Sequence, residues 1–258
     1  MKQYHSLGQV FLEDKRYIDS ICSCLDITNK AVLEIGPGAG VMSSFLSKNA
    51  KKLYCVELDK RFFKLLKDKF KGNPKVIIIN LDICKYRLDE NNENLVVFGN
   101  VPYQISKNIV NYLVKYRNNI DDVYIMFQKE FVNKLTAEHK SKEYNFLSCF
   151  IQYYAELEKL FDIPAKAFSP LPKVDSSFIK MKFYKNKLYN VGNEELLFDI
   201  IKKAFSQRKK KLINSLKGMY NGKLLDKLFE DLNIDISVRP VDVSLEKYCF
   251  ISKYFEEL

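Results

Sequence analysis

Between residues 31 and 183, short apolar and β-branched runs alternate with longer stretches whose apolar positions recur every third or fourth residue. A continuous apolar run of about four to eight residues marks a buried strand, and a period near 3.6 marks a helix buried on one face. Strands are predicted at 31–35, 52–57, 75–80, 95–99 and 122–128, with helices at 41–48, 60–70 and 106–116. Another helix, over about 15–25, precedes the first strand. Beyond 128 the pattern gives a helix at 129–138 and two further strands, at 149–155 and 176–183. Strand and helix in turn are the rhythm of a doubly wound α/β sheet, mostly parallel.

The rhythm changes near residue 184. Residues 185–192 are polar and aperiodic, and four helical patterns follow at 194–205, 209–217, 224–232 and 245–255, interrupted at Arg239-Pro240. This predicts a large α/β domain over 1–184, a linker at 185–192 and a small all-helical domain over 193–258.

Composition changes this picture in one respect. An apolar share of 47% and a charged share of 29% describe an ordinary globular chain of 258 residues. Lys+Arg 42 against Asp+Glu 32 leaves +10, which favours polyanionic partners because cationic patches release counterions from nucleic acid. A Lys-rich codon bias would give the same excess, so charge alone does not choose. The six cysteines form no C-x-x-C pair and the two histidines stand apart, so neither a metal site nor a disulfide framework is expected. The first ten residues lack the pattern of a signal peptide, and no apolar run approaches the roughly 20 residues of a membrane span. A cytoplasmic monomer is the expectation.

The chemistry-bearing segments lie at the ends of predicted strands. The first strand runs into Glu34-Ile35-Gly36-Pro37-Gly38-Ala39-Gly40 just before a helix. Such a turn lets the backbone approach a ligand at the carboxyl edge of a sheet. The spacing is G-x-G-x-G, not the dinucleotide G-x-G-x-x-G, and Glu34 would repel a pyrophosphate. Glu57 closes the second strand, where its carboxylate can accept ribose hydroxyls. Asp82 follows the third, where it can accept from an adenine amine. One acid at a strand end is commonly a solvated loop residue, but three in series point to a nucleoside cofactor without phosphate, S-adenosylmethionine.

After the fourth strand comes Gly99-Asn100-Val101-Pro102-Tyr103. The exocyclic nitrogen of adenine is a poor nucleophile because its lone pair is delocalised into the ring. Two acceptors, the Asn100 side-chain oxygen and the Pro102 carbonyl, can take its two N–H bonds and draw it toward tetrahedral geometry. Tyr103 can stack on the base, at about 1–3 kcal/mol per base. A second segment, Ala167-Phe168-Ser169-Pro170-Leu171-Pro172-Lys173-Val174-Asp175-Ser176, is stiffened by two prolines and can present Phe168 as the opposite stacking face. A rigid connection into the last strand accounts for its spacing equally well.

These segments resemble the small-subunit ribosomal RNA adenine N6,N6-dimethyltransferases. The matches include Leu7-Gly8-Gln9-Val10-Phe11-Leu12, Glu34 to Gly40, Val56-Glu57-Leu58-Asp59, Gly99 to Tyr103 and Gln128-Lys129-Glu130. They continue through Phe168 to Ser176, Phe205-Ser206-Gln207-Arg208-Lys209-Lys210, Asn214-Ser215-Leu216 and Arg239-Pro240. The resemblance implies a seven-stranded Rossmann-like methyltransferase sheet and a C-terminal domain that docks the small ribosomal subunit precursor. It also implies double methylation of two adjacent adenines near the 3′ end of small-subunit ribosomal RNA. By the same resemblance Leu12, Gly36, Glu57, Asp82 and Asn100 contact the cofactor, beside the Glu34 and Gly38 of the loop. Phosphate contacts are expected from Arg208, Lys209, Lys210 and Lys211. Val10 stands where the family has Asn, so backbone groups over 9–12 are expected to replace that side chain. Ahead of Gly8, the N-terminal arm offers one basic residue, Lys2. The rivals are an erythromycin-resistance-type enzyme acting on large-subunit RNA, a non-catalytic assembly factor, and a DNA adenine methyltransferase, whose usual acid-proline-proline element is absent here. The proline-rich segment and Gln207-Arg208 favour the small-subunit enzyme.

Overall fold

The computed structural model describes residues 10–91 and 93–257. The expectations placed on Leu7, Gly8, Gln9 and Lys2 lie outside them. In chain order the elements are Phe11–Leu12 (β1), Lys15–Cys24 (α1), Ala31–Ile35 (β2), Val41–Asn49 (α2), Lys52–Glu57 (β3), Lys60–Lys69 (α3) and Val76–Asn80 (β4). Then follow Leu95–Asn100 (β5), Ser106–Lys115 (α4), Ile120–Gln128 (β6), Lys129–Leu135 (α5), Phe146–Tyr154 (α6), Ala155–Ile163 (β7), Phe168–Ser169 (β8) and Ser176–Phe183 (β9). Four helices complete the chain: Glu194–Ser206 (α7), Leu212–Leu216 (α8), Gly222–Asp231 (α9) and Leu245–Glu256 (α10).

Seven strands form one sheet in the order β4-β3-β2-β5-β6-β9-β7. The five from β2 to β6 run parallel, and β9 is antiparallel to β6. The central strand β2 is buried along its whole length, as a parallel strand covered on both faces must be, and Glu34 is its one charged residue. At the edge, β7 carries Glu156, Glu158, Lys159 and Asp162, charges that discourage pairing with another chain. A separate two-stranded ribbon pairs β1 with β8 in antiparallel register, Leu12 opposite Phe168 and Phe11 opposite Ser169.

The chain divides into two compact units. Residues through Val132 together with Glu156–Phe183 make one, and Asn133–Ala155 with the residues from Tyr184 onward make the other. The second is helical, around a core that includes Tyr144, Leu197, Ile200, Leu212, Leu228 and Tyr248. Among the described residues no helix is long and apolar enough to cross a membrane.

Two expectations are corrected here. Of the strand predicted at 149–155, residues 149–154 belong to helix α6 and Ala155 opens β7, whose course to Ile163 was not expected. Cys-Phe-Ile-Gln-Tyr-Tyr-Ala has strand-like composition, but Phe146, Phe150 and Tyr154 recur at helical spacing. Their rings meet in sequence, at 6.0 Å and 5.5 Å between centroids. Asn145 caps the helix, accepting from Leu147 N at 2.7 Å, while the Ser148 hydroxyl accepts from Asn145 N. The helix predicted at 209–217 begins only at Leu212. Arg208 to Lys210 lie in the preceding turn, and Lys211 is the N-cap residue of α8. Four consecutive cations oppose a helix start through mutual repulsion and the positive end of its dipole.

Candidate active site

The strand order reverses between β2 and β5, whose last paired residues are Ile35 and Gly99. Ligands in open α/β sheets bind at such a switch point, beyond the carboxyl ends of the strands. A cavity of about 210 Å³ opens there, and its walls include Leu12, Glu34, Gly36, Glu57, Asp82 and Asn100.

Glu57, 4% exposed at the end of β3, organises this cavity. Its Oε2 accepts the backbone N–H of Gly38 at 3.0 Å and its Oε1 accepts that of Asp59 at 2.8 Å. A carboxylate has about four lone-pair positions, so these amide bonds leave it capacity to accept from a ligand. Burial raises the Glu57 carboxyl above its ordinary range, and the backbone N–H groups of Asp59, Gly38 and Leu58 oppose that rise.

Glu34 is fully enclosed beneath the glycine loop. It sits opposite Cys55 in the sheet, and Cys55 Sγ donates to its Oε2 at 3.6 Å. Burial pushes the Glu34 carboxyl up to about 7, and the nearby Glu57 acts in the same direction. Burial and Glu34 together push the Cys55 thiol up, so this cysteine is an inert donor rather than a nucleophile.

The loop over these acids is held from two sides. Gly38 has φ +55°, and a Cβ there would lie 2.7 Å from the ring of Phe11. Phe11 in turn meets Phe62 edge-on at 5.4 Å. Gly40, φ +76°, is the left-handed N-cap residue of α2, and Lys69 Nζ donates to its carbonyl at 2.6 Å. Asp82 follows the end of β4, where its carboxylate accepts from Cys84 N at 3.0 Å.

On the opposite wall, Asn100 Nδ2 donates to the carbonyl of Val10 at 3.2 Å. This commitment leaves Oδ1 as the acceptor end of the amide. The Pro102 carbonyl accepts Ile105 N at 3.2 Å and retains its second lone pair. Both residues line the cavity. Tyr103 does not. It is half-buried, and its hydroxyl shares a hydrogen bond with Ser176 Oγ at 2.9 Å. Phe168 is not a wall of the cavity either: opposite Leu12 in the ribbon, its 4% exposed ring belongs to the apolar core of the α/β unit. Arg208 donates to the carbonyl of Lys142 within the helical unit, and Lys209, Lys210 and Lys211 are exposed.

Sequence reasoning missed two residues that matter here, Lys69 and Ser176. Lys69 lies 29 residues beyond Gly40 in a helix rich in lysine, so nothing local distinguishes it. Ser176 closes a proline-rich segment in which the prolines and the phenylalanine are the stronger local signals.

A seven-stranded sheet of this order, with an acidic cavity at its switch point, is the methyltransferase form of the Rossmann-like fold. A dimethyladenosine transferase from Plasmodium falciparum has the same fold, with a TM-score of 0.83 at 22% identity over 96% of this chain and 98% of that one. So does the 23S rRNA methyltransferase ErmE, at 0.76 and 22% over 95% and 99%. The chain belongs to the ribosomal RNA adenine dimethylase family, whose model matches residues 1–257. It is 35% identical to the ribosomal RNA small subunit methyltransferase A of Fusobacterium nucleatum, over 99% of this chain and 98% of the relative. The protein of that name from Pelagibacter ubique is 36% identical over 100% and 98%.

Proposed function

We propose that this protein transfers methyl groups from S-adenosylmethionine to the exocyclic amines of two adjacent adenines near the 3′ end of small-subunit ribosomal RNA. Its substrate would be a late precursor of the small subunit, met in the cytoplasm by a monomer. The observation that carries the reading is the pairing, on one cavity, of the Glu57 carboxylate with the Asn100 and Pro102 acceptors. Near-complete coverage by small-subunit methyltransferases supports the choice of RNA.

The residues present fit the cofactor. Glu57 offers acceptors for two ribose hydroxyls, Asp82 for an adenine amine, and Leu12, Gly36 and Gly38 close packing around an uncharged nucleoside. The Glu57 carboxylate at the cavity wall would reject a phosphate. S-adenosylmethionine supplies an electrophilic methyl group on a sulfonium.

Asn100 Oδ1 and the Pro102 carbonyl accept the two N–H bonds of the adenine amine, which localises its lone pair toward the methyl group. The methylated nitrogen is transiently cationic and sheds a proton readily, so a strong base is unnecessary. The work is chiefly positioning, which can contribute about 7–11 kcal/mol. Arg208, Lys209, Lys210 and Lys211 are assigned to RNA phosphates, and Tyr103 to the target base.

Mass mapping of adenines on unmodified small subunits after incubation with the protein tests this. Dimethylation of two neighbouring adenines near the 3′ end is expected. Methylation confined to large-subunit RNA, or no cofactor binding by calorimetry, overturns it.

A further inference from the structure

Tyr103 is fixed at both ends. Its backbone follows Pro102, and its carbonyl accepts the Ser106 hydroxyl at 3.0 Å. Its far end shares a 2.9 Å hydrogen bond with Ser176 Oγ. Ser176 is 1% exposed, at the first residue of β9, and pairs with Gln128 at the last residue of β6. A buried hydroxyl is costly without a partner, and Tyr103 is the partner.

The surrounding segment is itself immobilised. Asp175 Oδ1 accepts Ala165 N at 2.9 Å, and the Asp175 carbonyl accepts Lys129 N at 3.0 Å. On the other face of the strand, Ser177 Oγ donates to Asp162 at 2.6 Å. Ser176 is therefore a rigid point, whereas a tyrosine tethered only at Cα would swing about χ1 and χ2.

We propose that Ser176 is a positioning residue for the target base, setting the plane of the Tyr103 ring through its hydroxyl and so tying the end of the proline-rich segment to the amine-recognition turn. The inference rests on the proposed function. A ring already held in one orientation loses less rotamer freedom when a base stacks on it, an advantage of about 3- to 10-fold. The hydroxyl of Tyr103 has no chemical part in the transfer. It serves only as the handle by which the ring is held.

The test is a mutant cycle in kcat/KM for small-subunit RNA, with Ser176→Ala, Tyr103→Phe, the double variant and Ser176→Thr. Each single variant is expected to lose about 3- to 10-fold, and the double variant no more than either alone. Ser176→Thr, which keeps the hydroxyl, should restore activity, and cofactor affinity should not move. Additive losses, or wild-type kcat/KM in Tyr103→Phe, overturn the positioning role while the function stands. A lowered melting temperature with unchanged kcat/KM does the same, because it makes the hydrogen bond structural only. Wild-type protein that leaves small-subunit RNA unmethylated overturns both.

Discussion

The Asn100 side chain donates to the main-chain carbonyl of Val10 at 3.2 Å, joining residues 90 apart in sequence. Any residue at position 10 supplies that carbonyl, so this contact does not depend on the valine side chain. The bond also orients the Asn100 amide. With Nδ2 turned toward Val10, Oδ1 is the end that faces other partners as an acceptor.

Asn100→Ala should therefore retain its fold and its cofactor affinity within a few-fold, and lose about 10²–10³ in kcat. That is the cost of removing one preorganised hydrogen bond used mainly in the transition state. Methyl incorporation under single-turnover conditions measures it, and turnover within threefold of wild type rules out Asn100 as the amine acceptor.

Lys69 holds the glycine loop through the Gly40 carbonyl at 2.6 Å. Lys69→Met keeps the stem and removes the donor. Cofactor binding is expected to weaken by about tenfold, near 1.4 kcal/mol, within the range of a charge-assisted hydrogen bond. Calorimetric titration reads this directly. An unchanged affinity would mean that the loop keeps its shape unaided.

Glu34 makes stability depend on pH. Its carboxyl stands at about 7 in the fold, against an ordinary value of 4.5 when exposed. Between these values the folded state binds more protons than the unfolded state, so stability falls as pH rises. Glu34→Gln removes this loss. Its melting temperature relative to wild type should climb by a few degrees from pH 5 to pH 8, on the order expected of 1–2 kcal/mol in a chain of this size. A pH-independent difference in thermal scans would refute the assignment.

Phe168 is a core residue in the structure, opposite Leu12 in the β1·β8 ribbon. Phe168→Ala should destabilise the protein by about 3–5 kcal/mol in urea unfolding, as truncating a buried phenylalanine usually does. A variant with wild-type stability but poor kcat would return Phe168 to the stacking role.

The exposed run Lys209, Lys210 and Lys211 is expected to meet RNA phosphate. Replacing all three with Ala should weaken RNA binding and reduce the slope of log affinity against log salt by about 0.7 per phosphate no longer neutralised. Filter binding across a salt series checks it. An unaltered slope assigns these lysines to the solvent.

Where one face or both of an element are buried in a regular way, the sequence was legible. The run Ala-Val-Leu-Glu-Ile reads as a central strand because both its faces are covered, and α3 reads as a helix because Phe62 and Leu66 recur at helical spacing. The strand end at Glu57 was readable for the same reason. At 149–155 the reading failed because aromatic residues suit either element, and the choice fell to a cap at Asn145 and to rings that meet only when wound into a helix. The two-residue strands β1 and β8 are too short for any periodicity, and each exists only because the other is beside it.

The sequence by itself determined the parallel strands from β2 to β6 with the helices between them, the three acids at successive strand ends and the Gly99–Tyr103 turn, because periodicity and local spacing write these directly into the chain. Only the tertiary structure decided that Val10 orients Asn100, that Lys69 holds the glycine loop, that Phe168 faces the core and that Ser176 meets Tyr103. Each of those joins residues tens of positions apart, set by which strands lie side by side, and no local pattern encodes it.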